Sequence, residues 1–156
     1  MQSNNIENKI LTKNTIVHCS CKQAWEYWTT YEGLKQFFGQ ENKVELQLGG
    51  AFEIYFLMDN DKGLQGSEGC KIISFIPEEM LSFTWNAPPD FQEIRNHPHQ
   101  TWVVVNFQAI NESSTQITLK HLGWLHGQDW DYVYDYFETA WEMVLSNLTN
   151  LINDDD

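Results

Sequence analysis

From Asp129 to Ile152 the apolar residues of this chain fall on one stripe. Trp130, Val133, Tyr134, Phe137, Trp141, Val144, Leu145, Leu148 and Ile152 recur at steps of three and four, with Asp131, Asp135, Glu138 and Glu142 opposite. That period predicts one amphipathic helix roughly 35 Å long, about the width of a small domain. A stripe of this length needs an equally long apolar surface beneath it, and the preceding sequence supplies one with a different period. Leu81, Phe83 and Trp85 alternate with Ser82, Thr84 and Asn86. Val103, Val105 and Phe107 share a face, as do Ile117, Leu119 and His121. Period two with one apolar face predicts strands of an antiparallel sheet that is covered on one side and wet on the other.

The remaining segments fit the same plan. Ile10 to Cys19 reads as a first strand, with Ile10, Ile16 and Val17 as its apolar positions. Ser20 and Gln23 have the spacing of a capping box, so a helix starts at Cys21 and turns Ala24, Trp25 and Trp28 inward. Tyr31 to Phe38 reads as a second short helix closed by Gly39. Val44 and Leu46 belong to the next strand, and Gly49-Gly50 marks a turn. Phe52, Ile54, Phe56 and Met58 lie on one face of the strand that follows. Asp59 to Gly66 reads as a loop, Cys70 to Ile76 as a strand ended by Pro77, and Asp90 to Gln100 as a polar loop after Pro88-Pro89. Asn111 to Ser114 supplies a hairpin turn. The 156 residues suit a single domain, with Asn153 to Asp156 read as a disordered acidic tail.

Charge and cysteine usage exclude several function classes. The formal net charge is −13, nine basic residues against twenty-two acidic, and Arg95 is the sole arginine. Nucleic-acid binding requires clustered Lys and Arg, which are absent, and anionic membrane surfaces are disfavoured for the same reason. Cys19, Cys21 and Cys70 are too few and too uneven for a disulfide framework and read as reduced structural thiols. No signal segment and no run of eighteen apolar residues is visible, so no membrane insertion and a cytoplasmic location are the expectation. His97 and His99 flank Pro98 without a third ligand, so no metal and no cofactor are expected.

Several stretches carry a family resemblance: Ala24-Trp25 followed by Tyr31-Glu32-Gly33-Leu34 and Phe37-Phe38; Leu48-Gly49-Gly50-Ala51-Phe52; Ile76 to Leu81 running into Phe83-Thr84-Trp85; Thr115 to His121; and Ala140-Trp141 with Leu145 and Leu148. In this order and spacing the chain resembles the activator of Hsp90 ATPase homologue group of the START-like, helix-grip superfamily. It departs where the family often has Trp near Phe37 and Gly near Ala140, two changes conservative for packing. The resemblance implies an α+β helix-grip fold: a curved antiparallel sheet of six to seven strands, two short helices, and the long C-terminal helix packed across it. Function is implied only weakly, because function lives in the site rather than the fold.

The leading expectation is a domain that binds a small hydrophobic or amphipathic ligand between sheet and helix. Phe56, Phe83, Trp85, Val105, His121, Tyr134, Phe137 and Trp141 are the candidate lining residues. His121 would be the polar contact. An alternative is an enzyme of the polyketide cyclase or hydrolase type, in which His121 would serve as the acid-base residue. Another is an interaction protein that associates with a chaperone or with itself. Trp102 and Val104, on the outer face of their strand, are either a homodimer surface or covered by a loop.

Overall fold

The computed structural model describes residues 6–154. Strand β1 (Leu11–Val17) leads into helix α1 (Cys21–Thr29) and helix α2 (Tyr31–Phe37). The capping box forms: Gln23 N–H donates to Ser20 Oγ, and Ser20 N–H donates to Gln23 Oε1, both at 3.2 Å. Thr30 caps α2 by accepting from Gly33 N–H at 3.0 Å. Gly33 has to be glycine, because a Cβ there would run into the backbone of Glu26 and Tyr27 in α1.

Two strands, β2 (Glu41–Val44) and β3 (Phe52–Tyr55), form a small sheet of their own. The main sheet adds β4 (Ile72–Ile76), β5 (Met80–Trp85), β6 (Thr101–Asn111) and β7 (Ser114–Leu122), in the antiparallel order β1-β7-β6-β5-β4. The fold is therefore α+β, with seven strands divided five and two. The small sheet joins the large one through the Ala51–Lys71 bridge and through Gly49 and Ile72, whose N–H groups donate to Ile72 and Gly50 carbonyls at 2.8 Å. Helix α3 (Gln92–Arg95) is one turn inside a stretch that reads as polar loop in the sequence. Four residues carry too little periodicity to announce a helix. Last comes α4 (Gln128–Asn153), 26 residues long, with Trp130, Val133, Phe137, Trp141, Val144, Leu145, Leu148 and Ile152 buried along one side.

Three expectations change. The β3 strand stops at Tyr55, so Phe56 turns out of the ladder and Met58 is exposed. Ile10, just before β1, and Ile16 within it are about half exposed, while Leu11 and Val17 are buried. The inward positions between them are Lys13 and Thr15, and these meet α4 rather than the apolar core. Lys13 Nζ lies 3.2 Å from Glu138 and 3.1 Å from Glu142, and the Thr15 and Thr149 hydroxyls are 2.6 Å apart. Finally, α4 continues through Asn153 where a disordered tail was expected, and Asn153 ties it to β1 by accepting from His18 N–H at 2.8 Å and donating to the Ile16 carbonyl at 3.2 Å. Asp155 and Asp156 lie outside the described residues.

The helix thus leans on β1, at one edge of the sheet, through a polar seam. At the other side, toward β5 and β3, only large side chains bridge the distance. A core of aromatic rings fills most of that space. Phe52 stacks on Phe83 with ring centres 4.1 Å apart, Phe38 meets Trp85 at 5.6 Å, and Trp85 meets Trp141 at 5.2 Å. Trp102, on the outer face, is half-buried because its ring lies over Gly123, whose φ of 88° also calls for glycine.

Candidate functional site

The aromatic layer stops short of solvent. Between the end of α2, the segments after β3 and β5, and the middle of α4 lies an open cleft of about 740 Å³. Its floor is Phe38, Phe56, Trp85, Phe137 and Trp141; Ala140 and Val144 of α4 form one wall, and Ala87, Pro88 and Pro89 form another. Each element has a local reason for its place. Phe38 caps α2 by donating its N–H to the Leu34 carbonyl, which turns its ring inward. Phe56 is available because β3 ends one residue earlier. Ala140 sits on the inner stripe of α4 between Phe137 and Trp141, where a larger side chain would fill the opening.

The mouth is polar and nearly uncharged. Gln36, Gln40, Asn86 and Asn147 stand around it, with Lys35 the one charged lining residue among the described residues. Lys35 Nζ donates to Tyr31 Oη at 3.3 Å and stands 3.8 Å from Glu41. Ser67 lines the cleft but its hydroxyl is occupied: it accepts from Ile54 N–H at 2.7 Å and holds the β3 backbone.

Four of the eight candidate lining residues, Phe56, Trp85, Phe137 and Trp141, come together on the cleft, and the other four do not. Phe83 is covered by the Phe52 ring, and Val105 is fully buried in the middle of the sheet. Tyr134 lies toward the chain's N-terminal segment, packed on Trp124 at 5.2 Å and under Lys9 Nζ at 4.4 Å.

His121 is the main correction. It pairs across the sheet with Leu11 and Val103, directly under the helix, and has no exposed surface. The Trp141 indole N–H donates to its Nδ1 at 2.9 Å. An indole can only donate, so Nδ1 carries the lone pair and Nε2 the proton. Nε2–H then donates to Thr101 Oγ1 at 2.7 Å, and that hydroxyl donates to the Trp85 carbonyl at 3.1 Å. Burial lowers the imidazole pKa from 6.5 to about 3. His121 is therefore a neutral, fully bonded strut. Both ring nitrogens are engaged, and His121 does not itself line the cleft. It does act on the site indirectly, because its two partners, Trp141 and the Trp85 backbone, belong to the cleft floor.

His97 and His99 are tied to each other and to the segment after β7: His99 N–H donates to His97 Nδ1 at 3.0 Å, and His99 Nε2 lies 2.6 Å from the Gly123 carbonyl. Among the described residues no group of three or more His, Cys, Asp or Glu is placed to hold a metal ion, and no helix is long and apolar enough to cross a membrane.

Residues 18–153 match the family of activator of Hsp90 ATPase homolog 1-like proteins. The chain belongs to this family. The helix-grip architecture agrees with solved structures of other proteins of the fold. A protein from Mesorhizobium loti superposes with a TM-score of 0.73 at 16% identity, over 95% of this chain and 99% of that one. An Hsp90 activator from Plasmodium falciparum gives 0.68 at 14% identity, over 92% and 96%. The Aha1 dimer from Colwellia psychrerythraea gives 0.67 at 15% identity, over 92% and 96%. No curated protein matches the chain. At these identities the likeness establishes the fold, and the cleft has to be read from its own residues. In this member of the Hsp90-activator-like family, sequence reasoning missed Phe38, Ala140, Asn147 and the Pro88-Pro89 wall. Ala140 did carry a signal, as the one small residue on an otherwise bulky helical stripe.

Proposed function

We propose that the protein binds a small apolar or amphipathic molecule in the cleft between α4 and the β3–β5 side of the sheet. The observation that carries this reading is an aromatic floor left open to solvent at a volume of about 740 Å³, within the range of small-molecule sites. Leaving it open has a physical cost. Closing the helix onto the sheet would stabilise the fold by roughly 25 cal/mol for each Å² of further apolar burial. The fold holds the helix away instead, by seating it on the polar seam of β1. Binding is favoured over a cyclase or hydrolase reaction because the lining side chains among the described residues include no carboxylate, thiol or imidazole.

The test is titration with the neutral fluorophore N-phenyl-1-naphthylamine, read by its emission and by quenching of the floor tryptophans. Saturable binding at one site is the expected result. Ala140→Trp should fill the cleft and weaken it at least about tenfold while leaving the far-UV circular dichroism unchanged. Non-saturable binding, or binding indifferent to Ala140→Trp, overturns the proposal.

A further inference from the structure

The polar mouth of the cleft has a direction. Gln36, Gln40, Asn86 and Asn147 each spend an amide N–H on a main-chain carbonyl: those of Glu32 at 3.3 Å, Phe56 at 3.1 Å, Glu68 at 3.4 Å and Phe37 at 3.4 Å. A carbonyl can only accept, so each of these bonds fixes which end of the amide is nitrogen. The amide oxygens take part in no hydrogen bond among the described residues. A carboxamide offers equal numbers of donor and acceptor positions, so with one N–H used each is left with about twice as many acceptors as donors. The Tyr136 and Thr139 hydroxyls, which also line the cleft, each bring one donor and two acceptor positions, so the neutral lining accepts more than it donates.

Charge narrows the choice. No carboxylate lines the cleft, so a cationic head group has no counter-ion there. The one lysine is already engaged by Tyr31 and Glu41, and the net charge of −13 disfavours anions across the whole surface. We infer that the ligand is a neutral apolar molecule whose polar end carries hydroxyl donors, seated with its apolar body on the aromatic floor and its hydroxyl on the amide oxygens at the mouth. This rests on the binding reading above and adds the chemistry of the head group.

Four molecules that share a ten-carbon chain separate the alternatives by displacement of N-phenyl-1-naphthylamine: 1-decanol, decyl methyl ether, decanoate and decyltrimethylammonium. The ether keeps the oxygen and the apolar body of the alcohol but cannot donate. Decanol should displace the fluorophore about tenfold more effectively than the ether, the worth of one satisfied hydrogen bond, and more effectively than either ion. Asn147→Leu and Gln40→Leu together should reduce the alcohol's advantage over the ether, each displacement being referred to the variant's own fluorophore affinity. Equal displacement by alcohol and ether overturns the inference, as does stronger displacement by decanoate or by the ammonium. If the fluorophore itself finds no saturable site, the cleft reading fails first, which is a different outcome from binding without head-group preference.

Discussion

The chain of hydrogen bonds from Trp141 through His121 and Thr101 to the Trp85 carbonyl joins α4 to three strands with every polar atom satisfied. Such a chain is worth most when intact, because each buried partner left alone costs about 1–3 kcal/mol. His121→Ala leaves the Trp141 indole and the Thr101 hydroxyl without their partner and opens a cavity between them. It should destabilise the protein by about 3–5 kcal/mol, measured by urea unfolding. The same residue gives a pH signature. Its folded pKa, about 3, lies below its ordinary value of 6.5, so between these values the unfolded chain binds more protons than the folded one. Stability then rises with pH across that window, is fully present above 6.5 and is lost as pH falls toward 3. Unfolding curves for wild type and His121→Gln should diverge in this window, the variant losing less stability than wild type on acidification. Parallel curves would show that His121 does not titrate with folding.

At the scale of elements, the segment between β3 and β4 borders the cleft, and the Glu68 carboxylate gathers several of its amides. Glu68 Oε2 accepts from the N–H groups of Gly63 and Gln65 at 2.8 and 2.9 Å, and Oε1 accepts from Gly66 N–H at 2.8 Å and from Arg95 Nη2 at 3.1 Å. Burial works to raise the Glu68 pKa, but the backbone donors of Gln65, Gly66 and Gly63 outweigh it and hold the carboxyl below its ordinary value. Arg95 also donates to the Ala87 and Gly63 carbonyls, at 2.7 Å each, and so ties α3 and the wall after β5 to the same segment. Glu68→Ala frees these donors together. It should cost about 1–3 kcal/mol and speed amide hydrogen exchange at Gly63, Gln65 and Gly66, with α4 protected as before. Unchanged exchange at these three amides would mean the segment is held by other contacts. The long helix and the alternating strands were legible in the sequence because both periods extend over many residues. This latch was not, since Glu68 and Arg95 are 27 positions apart and nothing in either neighbourhood marks them as partners.

For the molecule as a whole, twenty-two acidic residues against nine basic ones place self-repulsion above the few ion pairs that the fold makes. Several of those pairs, among them Lys13 with Glu138 and Glu142 and Lys9 with Asp131, lie near the surface and contribute little each; Arg95 with Glu68 is the more buried one. Raising the salt from about 0.01 M to about 1 M shortens the Debye length from about 30 Å to about 3 Å. The melting temperature should therefore rise with added sodium chloride, as read by calorimetry. A fall would show that the β1–α4 seam outweighs the general repulsion.

What the sequence alone determined is local and periodic: a long one-sided helix, strands with one apolar face, two short helices with a capping box on the first, and a strongly acidic composition. Period and charge are properties of neighbours in the chain, so they survive without the fold. Only the tertiary structure decided which inward residues meet a ligand surface. Parity gives His121, Phe83, Val105 and Trp85 the same inward face, yet three of them are sealed and one lies open. The difference arises because α4 is drawn to β1 by Lys13, Thr15 and Asn153 and stands away from β5. That tilt depends on contacts between residues more than 120 positions apart, and it is what leaves Trp85 and Trp141 at the floor of a cleft while His121 becomes the strut beneath them.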